Sequence, residues 1–141
     1  MKQEKMTVGA FEYIKLPAFG NVEYLAKIDT GAYHGAVHVD KFAVNDDDSV
    51  TVWLGNQTYK FAPEKIKKTK ITSSGGHVSF RPVVQMSVVV QGVAYQTWIG
   101  LTSRQKMKFP ALLGRYFLRE NNFLVDVKIN SGYDVDGRRS Q

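Results

Sequence analysis

The sequence predicts an all-β domain, either a barrel or a sandwich, with one short helix near its C-terminal end. Short segments rich in β-branched and aromatic residues recur along the chain, and turn-forming residues separate them. Only one segment has helical features. Regularly spaced strands with so little helix are typical of both barrels and sandwiches, and the pattern alone does not choose between them.

Seven segments have strand character. They are Phe11–Leu16, Tyr24–Ile28, Val37–Val44, Val50–Leu54, Thr58–Phe61, Val83–Val90 and Tyr95–Leu101. The one predicted helix is Leu112–Glu120, which follows Pro110 and ends at Asn121, before a final strand over Phe123–Ile129. We expect Thr72–Pro82, which is polar and contains two glycines, to be a flexible loop.

Composition predicts one globular domain over residues 1–141. The 141-residue chain is 43% hydrophobic and 23% charged, which argues against disorder and fibrous repeats. It has no cysteine, so thiol catalysis and a disulfide scaffold are excluded. We expect an ordered core from about residue 8 to 133 and a flexible tail over residues 134–141.

The N-terminus and the hydropathy pattern bear on location. Met1–Lys5 is charged where a signal peptide needs an apolar stretch, and no later apolar run approaches the roughly 18 residues of a membrane span. We therefore expect a soluble, cytoplasmic protein without a membrane partner.

The chemistry concentrates in the tripeptide Asp29-Thr30-Gly31, which follows the apolar strand ending at Ile28. The carboxylate can activate water, the hydroxyl can lock the loop, and the glycine lets backbone approach the carboxylate closely. This is the aspartic-peptidase signature, although the same tripeptide also forms ordinary turns.

Further segments share a family pattern. They are Tyr13–Pro17, Ala26–Ala32, Ser73–Gly75, Arg81–Val84, Met107–Arg115 and Phe123–Asp126. On these segments the chain, from about Val8 to Tyr133, resembles a bacterial family of retropepsin-like aspartic proteases, often labelled ATP-dependent zinc proteases. Its members are associated with an ATP-grasp ligase that adds glutamates to a small-subunit ribosomal protein. Tyr33-His34-Gly35 departs from the more basic and polar stretch that this family has there.

The resemblance implies an all-β, retropepsin-like closed barrel with one short C-terminal helix, working as a homodimer. It assigns the catalytic role to Asp29, with Thr30 and Gly31 shaping its loop. It assigns support of that loop to Leu113, Gly114 and Arg115. It also implies a substrate-covering flap, whose substrate-binding candidates with the adjoining loop are Ala32, Ser74, Gly75, Gly76 and Arg81.

The number of carboxylates sets the expected oligomeric state. Peptide hydrolysis by this mechanism needs two carboxylates that share one proton. The chain has one Asp-Thr-Gly. We therefore expect the second Asp29 to come from another copy, in a two-fold symmetric homodimer with its active site on the axis.

Substrate and partner expectations rest on the resemblance together with the net charge of +6. A basic domain suits an acidic or glutamylated peptide or protein substrate, and the resemblance implies association with an ATP-grasp glutamate ligase. Arg81 either binds an acidic substrate or pairs within the protein.

We expect no cofactor and no metal. The three histidines, His34, His38 and His77, have no cysteine partners, and the His-Glu-x-x-His pattern is absent.

Two other functions remain open. One is a non-catalytic retropepsin-fold module that binds a ligase or ribosomal partner. The other is single-stranded nucleic-acid binding, suggested by the basic run at residues 65–70 and the 12% aromatic content. Such a run is more typical of a solvated face, so we expect no nucleic-acid partner.

Overall fold

The computed structural model describes residues 5–72, 75–103 and 108–133. Within these ranges there are twelve strands, one α-helix and three short 3₁₀ turns. The strands are β1 (Met6–Val8), β2 (Phe11–Leu16), β3 (Val22–Ile28), β4 (Gly35–His38), β5 (Lys41–Val44), β6 (Val50–Leu54), β7 (Gln57–Phe61), β8 (Ile66–Thr72), β9 (Val78–Val90), β10 (Val93–Thr102), β11 (Ala111–Leu113) and β12 (Phe123–Val125). The helix is α1 (Arg115–Glu120), and the 3₁₀ turns are Pro17–Phe19, Pro63–Lys65 and Ser131–Tyr133.

Six strands close into a barrel in the order β9, β10, β4, β11, β3 and β2, and β2 pairs back to β9. β8 pairs with β9 outside this ring. Separately, β5, β6 and β7 form a three-stranded antiparallel sheet, and β1 pairs in parallel with β12. The predicted all-β closed barrel with one short helix is confirmed.

The barrel interior is filled by alternate residues of its strands. On β9, Val84, Met86, Val88 and Val90 are buried, while the residues between them are less so. A period of two is what a strand with one face on a core requires. Fully buried side chains from the other elements complete the core, namely Ile14, Leu16, Val37, Ile99, Leu101, Leu113 and Phe117.

The helix is shorter than predicted because a strand replaces its first turn. The sequence predicts helix over Leu112–Glu120, whereas α1 begins at Arg115. Ala111–Leu113 is β11, which pairs in parallel with β3 and antiparallel with β4. Hydrogen bonding on both sides keeps these residues extended, which overrides their helical preference.

The predicted strand Val37–Val44 is two strands in different sheets. The first part lies in the barrel, where the Val39 amide donates to the Thr102 carbonyl at 2.8 Å. The chain then leaves the barrel at Asp40, whose carboxylate accepts a 2.7 Å bond from the Gly55 amide. The single-strand prediction is therefore wrong at this exit.

Two predictions at the ends of elements also change. The predicted final strand Phe123–Ile129 ends at Val125, and a turn follows in which the Ile129 amide donates to the Asp126 carbonyl at 3.1 Å. The prediction that Thr72–Pro82 is a loop is wrong at Thr72, which ends β8, and over residues 78–82, which belong to β9. We call β8 together with residues 75–82 the flap hairpin. The predicted tail over residues 134–141 lies outside the described residues.

Candidate active site

The Asp29 loop (residues 29–34) leaves the barrel at the end of β3. The Asp29 amide donates to the Leu113 carbonyl at 2.8 Å, and the Ala32 amide donates to the Asp29 carbonyl at 3.2 Å. Asp29 is half-buried, while Thr30 and Gly31 are exposed. The loop is thus anchored through its backbone and presents the middle of its tripeptide to solvent.

Strand β11 holds both ends of this loop. Leu113 lies opposite Ile28 on β3 and opposite Gly35 on β4. Gly35 has φ of 76°, and a Cβ there would lie 2.2 Å from the Leu112 carbonyl oxygen. Only glycine fits both this conformation and this close approach.

The Asp29 carboxylate is oriented by its own loop. The Gly31 amide donates to Asp29 Oδ1 at 3.0 Å. A Cβ on Gly31 would lie 3.2 Å from the same oxygen, which is tighter than an ordinary contact. A glycine at this position therefore leaves room for the amide and the carboxylate to meet.

The Gly114-Arg115 pair lies against the loop. A Cβ on Gly114 would lie 2.5 Å from the Tyr33 carbonyl oxygen and 2.7 Å from that of Ala32. The Arg115 amide donates to the Ala32 carbonyl at 2.8 Å, and Arg115 Nη1 donates to the Thr30 carbonyl at 2.9 Å. Of the residues predicted to support the loop, Leu113 and Arg115 contact it through hydrogen bonds, and Gly114 lies too close to its carbonyls to carry a side chain.

A cavity of about 310 Å³ lies between the Asp29 loop and the flap hairpin. Its lining is Ala32, Tyr33, His34, Gly35, Ala36, Thr69, Arg81, Val83, Gly100 and Leu112. A Cβ on Gly100 would lie 3.0 Å from Arg81 Cδ, so the arginine stem crosses this glycine. Arg81 thus brings a positive charge to a mostly apolar cavity beside the loop.

A second cleft, of about 200 Å³, includes Asp29 itself. Lys27, Lys108, Phe109 and Leu112 share its lining. Leu112 lines both this cleft and the larger cavity, so the two are neighbours that meet at this residue. A bound molecule with one group at Asp29 could therefore extend another group toward Arg81.

The residues predicted to bind substrate lie in different parts of the structure. Ala32 and Arg81 line the cavity, whereas Gly75 and Gly76 lie exposed at the turn of the flap hairpin. Ser74 lies outside the described residues. The structure adds His34 and Lys27 to the site. The sequence signal for Lys27 is its place two residues before Asp29, on the same face of an extended chain.

His34 lies in an electrostatic environment that disfavours its charged form. Burial lowers its pKa first, the nearby Lys67 ammonium lowers it further, and a hydrogen bond with the Trp98 backbone partly opposes these effects. These effects favour the neutral imidazole, and Arg81 is the cationic side chain among the residues that line the cavity.

The described part of the chain shows neither a metal-binding group of side chains nor a membrane-spanning helix. Across residues 5–72, 75–103 and 108–133, no three His, Cys, Asp or Glu side chains group closely enough to hold a metal ion. No helix in these ranges has the length and apolar character to span a bilayer.

Comparisons with known proteins agree with the fold. A family model described as RimB-like, retropepsin-like aspartic endopeptidase RimB, matches residues 7–131. Two curated relatives, both called probable alpha-L-glutamate ligase, come from Shewanella halifaxensis (25% identical) and Shewanella pealeana (24% identical). Each match covers 89% of this chain and 29% of the relative. The chain thus spans less than a third of the length of these ligases.

A solved structure has the same fold. It is a crystal structure of a Legionella pneumophila protein of unknown function, with a TM-score of 0.69 and 23% identity. The match covers 89% of this chain and 96% of the Legionella chain. The similarity therefore extends over nearly the whole of the Legionella fold.

Proposed function

Because the chain belongs to the RimB-like family of retropepsin-like aspartic endopeptidases, we propose that it hydrolyses peptide bonds as a homodimer. One Asp29 carboxylate from each copy would form the catalytic pair. No cofactor takes part in this mechanism, and the proposed working unit is the single domain of residues 1–141 acting in the cytoplasm.

The orientation of Asp29 is the observation that carries the proposal. A half-buried carboxylate is fixed by the Gly31 amide at 3.0 Å, on a loop whose Thr30 and Gly31 are exposed. The exposed tripeptide can meet its symmetry copy, and the chain has one Asp-Thr-Gly. Half of a two-carboxylate site is thus ready to be completed by a second copy.

The chemistry follows from a shared proton. The ionised Asp29 takes a proton from water as the water oxygen attacks the scissile carbonyl carbon. The protonated Asp29 of the other copy gives its proton to the carbonyl oxygen. When the tetrahedral intermediate collapses, the C–N bond breaks, the first Asp29 gives the proton that it took from water to the leaving amine, and a hydroxyl of the intermediate returns a proton to the second Asp29. Thr30 and Gly31 keep the loop in place during these steps.

We propose that the substrate lies extended over the site, beneath the flap hairpin. Gly75 and Gly76, at its turn, suit opening and closing. A peptide lying between the flap and the Asp29 loop would pair through its backbone and place side chains in alternate pockets. We assign the cavity lined by Ala32 and Arg81 to one such side chain, and Ser74 to the flap contacts.

An acidic, glutamylated chain is the proposed substrate. The net charge of +6 favours an anionic partner, and Arg81 lines the cavity beside the loop. The relatives named as glutamate ligases support association with an enzyme that makes such chains. We propose that this chain cleaves within a glutamylated tail and associates with a ligase of that kind.

The test is hydrolysis of two matched peptides, one ending in several α-linked glutamates and one in glutamines, with products identified by mass spectrometry. Activity per milligram is then measured across a dilution series, with the oligomeric state followed by centrifugation. We expect the glutamate peptide to be cut and the specific activity to fall as the dimer dissociates. Binding of the glutamate peptide without cleavage at any dimer concentration would instead favour the non-catalytic module.

Arg81→Ala is expected to remove the preference for glutamate. A charge-assisted hydrogen bond contributes roughly 1.5–3 kcal/mol, so the ratio of kcat/KM for glutamate to glutamine peptides falls about tenfold or more. Lys68→Ala, on the same hairpin opposite Pro82, is the matched control and leaves the ratio unchanged. An unaltered ratio in Arg81→Ala would assign this arginine to an internal pairing role.

A further inference from the structure

One lysine of the flap hairpin contacts two aromatic rings from other elements. Lys67 Nζ lies 4.4 Å from the centroid of the Trp98 ring and 5.7 Å from that of Tyr116. Trp98 belongs to β10 and Tyr116 to α1, so Lys67 on β8 joins three elements. An ammonium within about 6 Å of an aromatic face is attracted by the ring quadrupole.

The same rings lead on to the Asp29 loop. The Tyr116 ring centroid lies 5.5 Å from that of His34 and 5.9 Å from that of Tyr33. The Arg115 guanidinium carbon lies 5.7 Å from the Tyr33 ring centroid, and the same side chain donates to the Thr30 carbonyl. A continuous set of contacts therefore runs from β8 to the tripeptide that carries Asp29.

Strand geometry separates Lys67 from the other lysines of the run at residues 65–70. Lys67 and Thr69 share one face of β8, and Thr69 lines the cavity. Lys68 and Lys70 lie on the other face, where Lys70 is opposite Phe80. The basic run is thus not a uniform solvated face, because one of its members points toward the site.

We propose that Lys67 is a positioning residue that ties the base of the flap hairpin to α1 and, through the rings, to the Asp29 loop. β8 is hydrogen-bonded to β9 and, in the described part of the chain, has no strand on its other edge. The side-chain contacts of Lys67 therefore add a second attachment to the backbone pairing with β9. This inference rests on the proposed peptidase function and adds a determinant of flap position to it.

His34 reports on the tether independently of catalysis. The Lys67 charge lowers the pKa of His34, so removing that charge raises it relative to the wild type. Among the residues that the structure describes, Arg115 from α1 and Arg81 from β9 also bring positive charge to this cluster, and both are kept in every variant. A change in the His34 titration can then be assigned to residue 67.

The experiment compares Lys67→Met and Lys67→Arg with Lys70→Met as the matched control on the opposite face. Cation–π contacts at exposed sites correspond to about a two- to fivefold effect. In Lys67→Met we expect amide exchange in β8 to quicken by about this factor, and KM to rise by a similar factor while kcat is nearly kept. The His34 pKa, followed by NMR, rises in this variant.

Lys67→Arg keeps a cation over the rings and is expected to restore the exchange rates, the KM and the low His34 pKa. Equal behaviour of Lys67→Met and Lys70→Met in exchange and titration would overturn the proposal, as would failure of Lys67→Arg to rescue. If the wild type cleaves no peptide, the proposed function fails, while exchange and titration still decide whether Lys67 tethers the hairpin.

Discussion

Asp29→Asn is expected to lower kcat/KM for peptide hydrolysis by about a thousandfold or more while the barrel still folds. Removing the ionisable group removes both the base that activates water and the acid that protonates the carbonyl oxygen, since the same residue serves both roles in the pair. The amide oxygen can still accept the hydrogen bond that the Gly31 amide makes at 3.0 Å. The loop therefore keeps its shape, and thermal unfolding changes little.

The matched control is Asp46→Asn, an exposed carboxylate in the turn between β5 and β6. It makes the same change in charge away from the Asp29 loop, and we expect wild-type activity. Hydrolysis that survives Asp29→Asn would show that the activity comes from another group or from a contaminant. Equal binding of a glutamate peptide by wild type and Asp29→Asn, with no turnover by either, would favour the binding module.

Gly114→Ala is expected to lower the stability of the protein strongly. Its Cβ would meet the Tyr33 and Ala32 carbonyl oxygens at 2.5 and 2.7 Å and the Gly35 nitrogen at 2.8 Å. All three are backbone atoms at the Asp29 loop, so no side chain can rotate away to make room. We expect a loss of about 3 kcal/mol in the free energy of unfolding, measured by urea denaturation, together with loss of activity.

Gly55→Ala separates the clash from the effect of glycine conformation. Gly55 has φ of 61° and nothing within 4 Å of its Cβ position. Alanine there costs roughly 1–2 kcal/mol through the left-handed backbone alone, and the active site is untouched. If Gly114→Ala were no less stable than Gly55→Ala and retained activity, the close contact between Gly114 and the Asp29 loop would not matter.

Local patterns predicted the barrel strands well because their residues are buried on one face. Phe11–Leu16 matches β2 in full, and Val83–Val90 forms the second part of β9, where burial alternates from Val84 to Val90. Such segments have both strand-forming residues and a period of two, so local preference and tertiary packing agree. Resemblance to a family, rather than pattern, predicted that these strands form a closed barrel.

Local sequence patterns did not predict two of the strands, β11 and β8. Leu112 follows a proline and precedes a helical segment, yet it is extended because β3 and β4 bond to it from both sides. Three of the seven residues of β8 are lysines, which interrupt its β-branched residues, so no regular strand pattern marks its pairing with β9. Hydrogen bonds to strands distant in sequence decided the case of Leu112, and no short window of sequence contains them.

The sequence predicted only part of the site, because some of its residues are far apart in sequence and meet only in the fold. The Asp29 loop was recognisable because Asp29, Thr30 and Gly31 are adjacent in sequence. Ala32 and Arg81 of the cavity wall were also predicted, whereas His34 was not, because only the barrel brings it beside Arg81. In the sequence, Lys67 is one member of a basic run. The aromatic rings that it contacts belong to β10 and α1, which a local pattern does not bring together with it.

The most direct test of a shared active site is the distance between the two Asp29 carboxylates in a crystal of the dimer. Centrifugation should first establish that the same dimer exists in solution. We predict carboxylate oxygens of the two copies within about 3 Å of each other, as sharing one proton requires. A monomer in solution, or two carboxylates held apart across a dry interface, would contradict the proposed peptidase.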